Sequence, residues 1–297
     1  MSAELPEEEL PEEELPQELA RIAREVAEAA AAHVRRRRAE LFPASGHIGD
    51  GPAVSTKSTR TDPVTVADTE SEQLIRELLA GVRPDDAILG EEEGGAAEIS
   101  PGVRWVVDPI DGTVNFLYGV PAYAVSVAAQ VDGVSVAGAV VDVAREVTYA
   151  AARGTGAWCW EPGAGEPRRL RANPIDDVAL ALVATGFAYT PGRRRAQGAL
   201  IGRLLPQIRD VRRMGAAALD LCMVASGAVD AHVEHGLAPW DWAAGGLIAA
   251  EAGAVVLLPP ATSASGDGYP TVAMAPGIAT AFHAVLAELG GLEQLPV

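Results

Sequence analysis

Residues 105–113 read W-V-V-D-P-I-D-G-T, and this stretch restricts the fold more than any other. An apolar strand over residues 103–107 runs into Asp108, and a short helix is expected to begin near Thr113 or Asn115. Such an exit from strand to turn aims Asp108 and Asp111 outward at one point. Pro109 fixes its own φ and biases Asp108 toward extended backbone, while Gly112 lets the chain turn tightly and approach a ligand.

The chemistry of the segment follows from its ligand atoms. Hard cations such as Mg²⁺ take oxygen ligands in an octahedron at about 2.1 Å, and two aspartates with the intervening Ile110 carbonyl supply such oxygens. The free amides of Gly112 and Thr113, at a helix start, suit phosphate oxygens. Taken alone, D-x-x-D-G is equally a capped strand-to-helix turn. Phosphatases that form an aspartyl-phosphate use D-x-D-G-T, with aspartates two apart; here they are three apart, which points to metal chelation and an attacking water.

Residues 5–18 repeat L-P-E-E-E almost without change. Proline at every fifth position and like-charge repulsion predict a disordered acidic tail over residues 1–18. Residues 19–41 show helical spacing and end in Arg35 to Arg38, which favours the helix dipole. Extended pieces at 54–57 and 62–65 precede a helix over 66–79. Strands follow at 87–89, 103–107, 124–130, 134–141 and 147–150, with Asp132-Gly133 as a hairpin turn. Beyond Asn173-Pro174, strands at 180–184, 229–233, 254–257 and 271–275 alternate with helices at about 194–205, 216–226, 241–252 and 278–289. A boundary near residue 172 divides an N-terminal α+β metal-binding portion, 19–172, from a C-terminal α/β portion, 173–297, that completes the site.

Charge excludes several partner classes. Of the formal net charge of −18, eight negative charges lie between Glu4 and Glu18, leaving −10 on the remainder. A body this acidic repels nucleic acid and anionic membrane, so neither is expected as a partner. A small anionic substrate needs bound cations to reverse the local field. No apolar run reaches the roughly 20 residues of a membrane span, and no signal region opens the chain. Cys159 and Cys222 lack metal-thiolate spacing, so the expected compartment is cytoplasmic. The five histidines show no H-E-x-x-H spacing, no G-x-S-x-G elbow is present, and the glycine-rich pieces lack the Lys-Ser/Thr of a nucleotide loop.

Together with G90-E-E92 and W240-D-W-A-A-G245, the segment D108-P-I-D-G-T113 resembles the signature set of the inositol monophosphatase family, in particular the bacterial inositol-1-monophosphatase type. P63-V-T-V-A-D68, G186-F, G215-A-A-A-L-D220 and V233-E-H-G236 extend the resemblance over most of residues 19–290. It implies an α+β fold, a layered α-β-α-β-α sandwich shared with fructose-1,6-bisphosphatase. It also implies that Glu91, Asp108, the Ile110 carbonyl, Asp111 and Asp241 ligate two or three Mg²⁺ ions. Thr113, paired with Asp68, then helps Glu91 activate the attacking water. Gly112 and Thr113 hold phosphate, and Glu234 with Gly215, Ala216 and Ala217 meets substrate hydroxyls. A lithium-sensitive homodimer follows from the same resemblance.

From the residues alone, Asp241 reads first as a helix N-cap, Glu234 as a strand-end charge and Asp68 as a first-turn acid favoured by the dipole. Ala216 stands where many relatives carry serine or threonine. The expected activity is hydrolysis of inositol monophosphate to inositol and phosphate. Histidinol phosphate, or another sugar or nucleotide phosphate, is the alternative substrate. A non-catalytic regulatory or binding protein is the alternative class, and it predicts missing ligands.

Overall fold

The computed structural model describes residues 14–42, 54–56, 63–95, 97–99 and 101–295. Helix α1 (Leu15–Leu41) carries Leu19, Ile22, Ala23, Val26, Ala30 and Val34 on its buried face. It begins four residues earlier than the acidic repeat suggested, because Pro16 occupies the first turn, where its missing N–H costs nothing. There Glu18 also bonds Arg21 at 2.9 Å. The rest of the expected tail, residues 1–13, lies outside the described residues.

A short antiparallel pair, β1 (Val54–Thr56) and β2 (Pro63–Thr65), leads into α2 (Val66–Val82). The large sheet is built from β3 (Ala87–Gly90), β4 (Gly94–Gly95), β5 (Val103–Asp111), β6 (Ala124–Val131), β7 (Val134–Asp142), β8 (Val147–Ala152), β9 (Gly156–Trp160) and β10 (Arg168–Arg169), in the order β10-β9-β8-β7-β6-β5-β3-β4. Helix α3 (Thr113–Tyr118) connects β5 toward β6. Asp132 and Gly133 turn the β6–β7 hairpin with φ of 51° and 77°, the left-handed pair that such a two-residue turn requires.

The second sheet has the order β12-β11-β13-β15-β14, made from β11 (Leu182–Thr185), β12 (Asp210–Arg212), β13 (Ala231–His235), β14 (Val255–Leu257) and β15 (Pro270–Met274). Helices α4 (Pro191–Leu204), α5 (Ala217–Ser226), α6 (Pro239–Glu251) and α7 (Ala279–Leu289) complete the chain.

Strand alternation sorts these elements into layers. On β5, Trp105 and Val107 pack with α1 and α2, whereas Val106 on the opposite face joins α5 and α6. Ala184 of β11 and Ala273 of β15 close on the same two helices from the other side. Val183, Val233, Val272 and Met274 face outward against Leu200, Leu204, Phe282 and Leu286 of α4 and α7. The result is helix, sheet, helix, sheet, helix. Gly138 permits the tight central contact, since a Cβ there would lie 2.9 Å from the Ala244 backbone of α6.

Candidate active site

Strand β5 continues past Asp108 to Asp111, where a turn was expected, with a register break between the two residues against β6. The bulge puts one unpaired segment between two paired ones, so both aspartates leave the same strand end on the same side. Asp108 Oδ1 accepts the Ile110 amide at 3.0 Å. Asp111 accepts the amides of Ala217 and Ala218, at 3.2 and 2.8 Å, from the first turn of α5. That commits the Ala217 amide to Asp111. Gly112 has φ 90°, and a Cβ on it would meet the Ala122 carbonyl at 2.9 Å. No other residue fits at that corner.

Asp241 arrives from α6. It was expected to cap that helix, but α6 begins two residues earlier, at Pro239, and Asp241 sits at the third position with its Oδ2 accepting the Ala238 amide at 2.7 Å. Proline favours the first turn, which moves the cap back to Ala238. One Asp241 oxygen serves the helix start, and the carboxylate still reaches the cluster, where ligand oxygens of Asp108, Asp111 and Asp241 all lie within 4.8 Å of one another. Glu91, on the turn after β3, hydrogen-bonds Asp108 and repels all three aspartates.

The electrostatic cost is visible in the acids themselves. Burial, then repulsion from Glu91, Asp111 and Asp241, pushes Asp108 well above the ordinary carboxylate range. Asp241 is raised well above that range by burial, then by Asp111 and Glu91. Asp111 is raised to about 7 by burial and by Glu91, against the opposing pull of its backbone amide bonds. Buried carboxylates that converge in this way are the donor set a hard divalent ion neutralises.

A hydroxyl relay stands beside the cluster. Thr113 Oγ1 lies 3.0 Å from both Asp68 Oδ1 and the Ile110 carbonyl. The single hydroxyl proton serves one acceptor at a time; donated to Asp68, it leaves the Thr113 lone pairs free to accept from a water. Asp68 is fully buried and closes the capping box of α2, accepting the Thr65 amide at 2.9 Å and the Thr65 hydroxyl. First-turn acid and relay acceptor are one side chain.

Sequence reasoning missed Glu72. Its carboxylate, fully buried on α2, accepts the amides of Glu92 at 2.7 Å and Glu93 at 3.0 Å. Arg76 clamps it at 2.8 Å and also binds the Gly94 carbonyl. The turn that presents Glu91 is therefore tied to α2. Asn115 was missed as a site-builder too: its amide bonds the Ala122 and Met214 carbonyls at 2.7 and 2.8 Å, joining α3 to the approach of Gly215.

Glu234 lies on β13, within the fields of Arg213 and Asp111. Burial raises it to about 8 while Arg213 opposes the shift. Gly186 makes room for it, since a Cβ there would stand 2.1 Å from Glu234 Oε2.

Residues 15–290 match the model of the inositol monophosphatase family. The chain is 55% identical over 275 residues to the inositol-1-monophosphatase of Mycobacterium leprae (strain TN), covering 91% of this chain and 94% of that protein. It is 53% identical over 280 residues to the inositol-1-monophosphatase SuhB of Mycobacterium tuberculosis (strain ATCC 25618 / H37Rv), covering 93% and 95%. The solved structure of Mycobacterium tuberculosis SuhB superposes with a TM-score of 0.79 at 48% identity, over 94% of this chain and 99% of that one. Sequence, layered fold and buried acidic cluster agree: this chain is a phosphatase and belongs to the inositol monophosphatase family.

Proposed function

We propose that the protein hydrolyses inositol monophosphate to inositol and phosphate in the cytoplasm, using Mg²⁺ held by Glu91, Asp108, the Ile110 carbonyl, Asp111 and Asp241. The observation that carries the reading is the convergence of Asp108, Asp111 and Asp241 beside the Thr113–Asp68 pair. When bound, two or three Mg²⁺ ions supply Lewis-acid activation of water and neutralise phosphate and leaving-group charge. Everything else falls to the chain. Asp68 holds the Thr113 hydroxyl so that its lone pairs, with Glu91, orient a water in line with phosphorus. The Gly112 and Thr113 amides at the start of α3 hold phosphate oxygens, and Glu234 with the backbone of Gly215 and Ala216 receives substrate hydroxyls. Water oxygen bonds to phosphorus as the bond from phosphorus to the ester oxygen breaks, the water's proton passes to Thr113 and Glu91, and the ester oxygen takes a proton from solvent water and leaves as the polyol hydroxyl.

Relatives bearing the name inositol-1-monophosphatase, at more than half identity, support inositol as the polyol. The reading includes a division near residue 172 into two portions that close on the site, assembly as a homodimer, and inhibition by lithium through displacement of one Mg²⁺. Among the described residues no helix is long and apolar enough to cross a membrane. A purely regulatory role implies lost ligands, and the sequence retains Glu91, Asp108, Asp111 and Asp241. The test is phosphate release, with Mg²⁺, from inositol 1-phosphate, histidinol phosphate, fructose bisphosphate and adenosine 3′,5′-bisphosphate. Fastest turnover of inositol 1-phosphate is expected; negligible turnover of it beside rapid release from histidinol phosphate replaces the substrate and keeps the chemistry.

A further inference from the structure

A second convergence of ligands lies between α5 and β13. Ligand atoms of Asp220, His232 and Glu234 all fall within 4.8 Å of one another, and His232 Nδ1 stands 3.9 Å from Asp220 Oδ2. Asp220 and His232 are wholly inaccessible to solvent. Among the described residues, neither oxygen of Asp220 and neither ring nitrogen of His232 has a hydrogen-bond partner. Four buried polar atoms of that kind are costly, because each forfeits its bonds to water without replacement.

A cation satisfies the Asp220 carboxylate and one nitrogen of His232 together. A neutral imidazole offers one ring nitrogen as a lone-pair donor, and two carboxylates supply the charge that balances a divalent ion. The facing charges are few: Arg213 acts on both Asp220 and Glu234, and Asp111 repels both. Ligand atoms each about 2.1 Å from one tetrahedral ion are about 3.4 Å apart, so the trio closes on an ion with side-chain movements of about 1–1.5 Å. Glu234 is the one partly exposed member of the trio.

We propose that Asp220, His232 and Glu234 form a divalent-cation site separate from the Asp108 cluster and of different preference. An imidazole among its ligands selects Zn²⁺ or Co²⁺ over Mg²⁺, which keeps to oxygen and water. The histidine spacing along the chain held no sign of it, because its ligands come from a helix and a strand that meet only in the fold.

Co²⁺ is the probe, because its visible ligand-field absorption reports imidazole coordination. The full-length Asp111→Asn protein, with its oxygen cluster weakened, is titrated with Co²⁺. One equivalent with an intense visible band is expected, and adding His232→Phe should weaken it by about 100-fold or more, at least the upper end of what losing a supporting residue costs. Asp220→Asn, nearly identical in shape, is the second variant and should weaken it likewise. Mg²⁺-induced thermal stabilisation of the single His232→Phe protein serves as the folding control. Retention of the same band and affinity in both the His232 and Asp220 variants, or failure of Asp111→Asn to bind any Co²⁺ with that band, overturns the site. Neither outcome depends on phosphatase turnover, so the functional reading stands or falls separately.

Discussion

Thr113 donates its hydroxyl to Asp68 at 3.0 Å, joining residues 45 positions apart in the chain and two different helices. If the bond aligns Thr113 to receive a proton, Thr113→Ala should lower kcat by about 10²-fold or more, in the range of positioned proton transfer, while Thr113→Ser retains most activity. Asp68→Asn should cost a similar factor, and the double variant little more than either, because groups acting as a unit are not additive. Steady-state kinetics at saturating Mg²⁺ decides; additive losses separate the two residues.

Glu72 and Arg76 fasten the turn behind Glu91. Glu72→Gln keeps the shape but replaces an acceptor with a donor at one of the two amides. The Mg²⁺ concentration for half activation should rise by about 10–100-fold, as for lost support of a metal ligand, with circular dichroism unchanged. An unchanged Mg²⁺ requirement shows that the turn holds without it.

The acidic cluster should make the metal-free protein sensitive to pH in an unusual direction. Asp111 is raised from 3.8 to about 7, so the folded state binds its proton more tightly than the unfolded chain. Its stabilising contribution is therefore full below about pH 4 and is lost as pH rises through 7. Asp108 and Asp241, raised in the same sense, add to the trend. The rise in melting temperature on adding Mg²⁺ to chelator-treated protein should accordingly be larger at pH 8 than at pH 5. Equal shifts at both values refute the coupling.

Gly186 faces the Glu234 carboxylate, which a Cβ would displace. The obstructed atoms end a side chain, so Gly186→Ala should fold normally. It should raise KM for a polyol phosphate several-fold while leaving kcat nearly unchanged, the pattern of lost uniform binding. A fall in kcat with KM intact places Glu234 in the chemistry itself.

Parts of this site were legible because local chemistry and local conformation coincide there. Asp108 and Asp111 flank a proline, precede a left-handed glycine and end an apolar strand, so composition and backbone point the same way. Asp241 was expected beside Asp108 and Asp111 and lies with them, though its helix position was misjudged because Pro239 extends α6 by two residues. Strands β10 and β12, only Arg168–Arg169 and Asp210–Arg212, are polar edges with no apolar alternation to read. Glu72, four residues before Arg76, has the spacing of a solvated helix pair; its burial exists only once the turn after β3 folds over it. Asp220 and His232 belong to different elements, and nothing local to either announces the other.

Helix α2 acts as a ruler. Asp68 and Glu72 are one turn apart on it, about 6 Å of rise, and through them the same rigid rod locates both the Thr113 hydroxyl and the turn of Glu91. The spacing of these two attachments is thereby a helical repeat, independent of the length of any loop. A change of length between β4 and β5 therefore leaves that spacing as it is, because the rod and not the loop sets it.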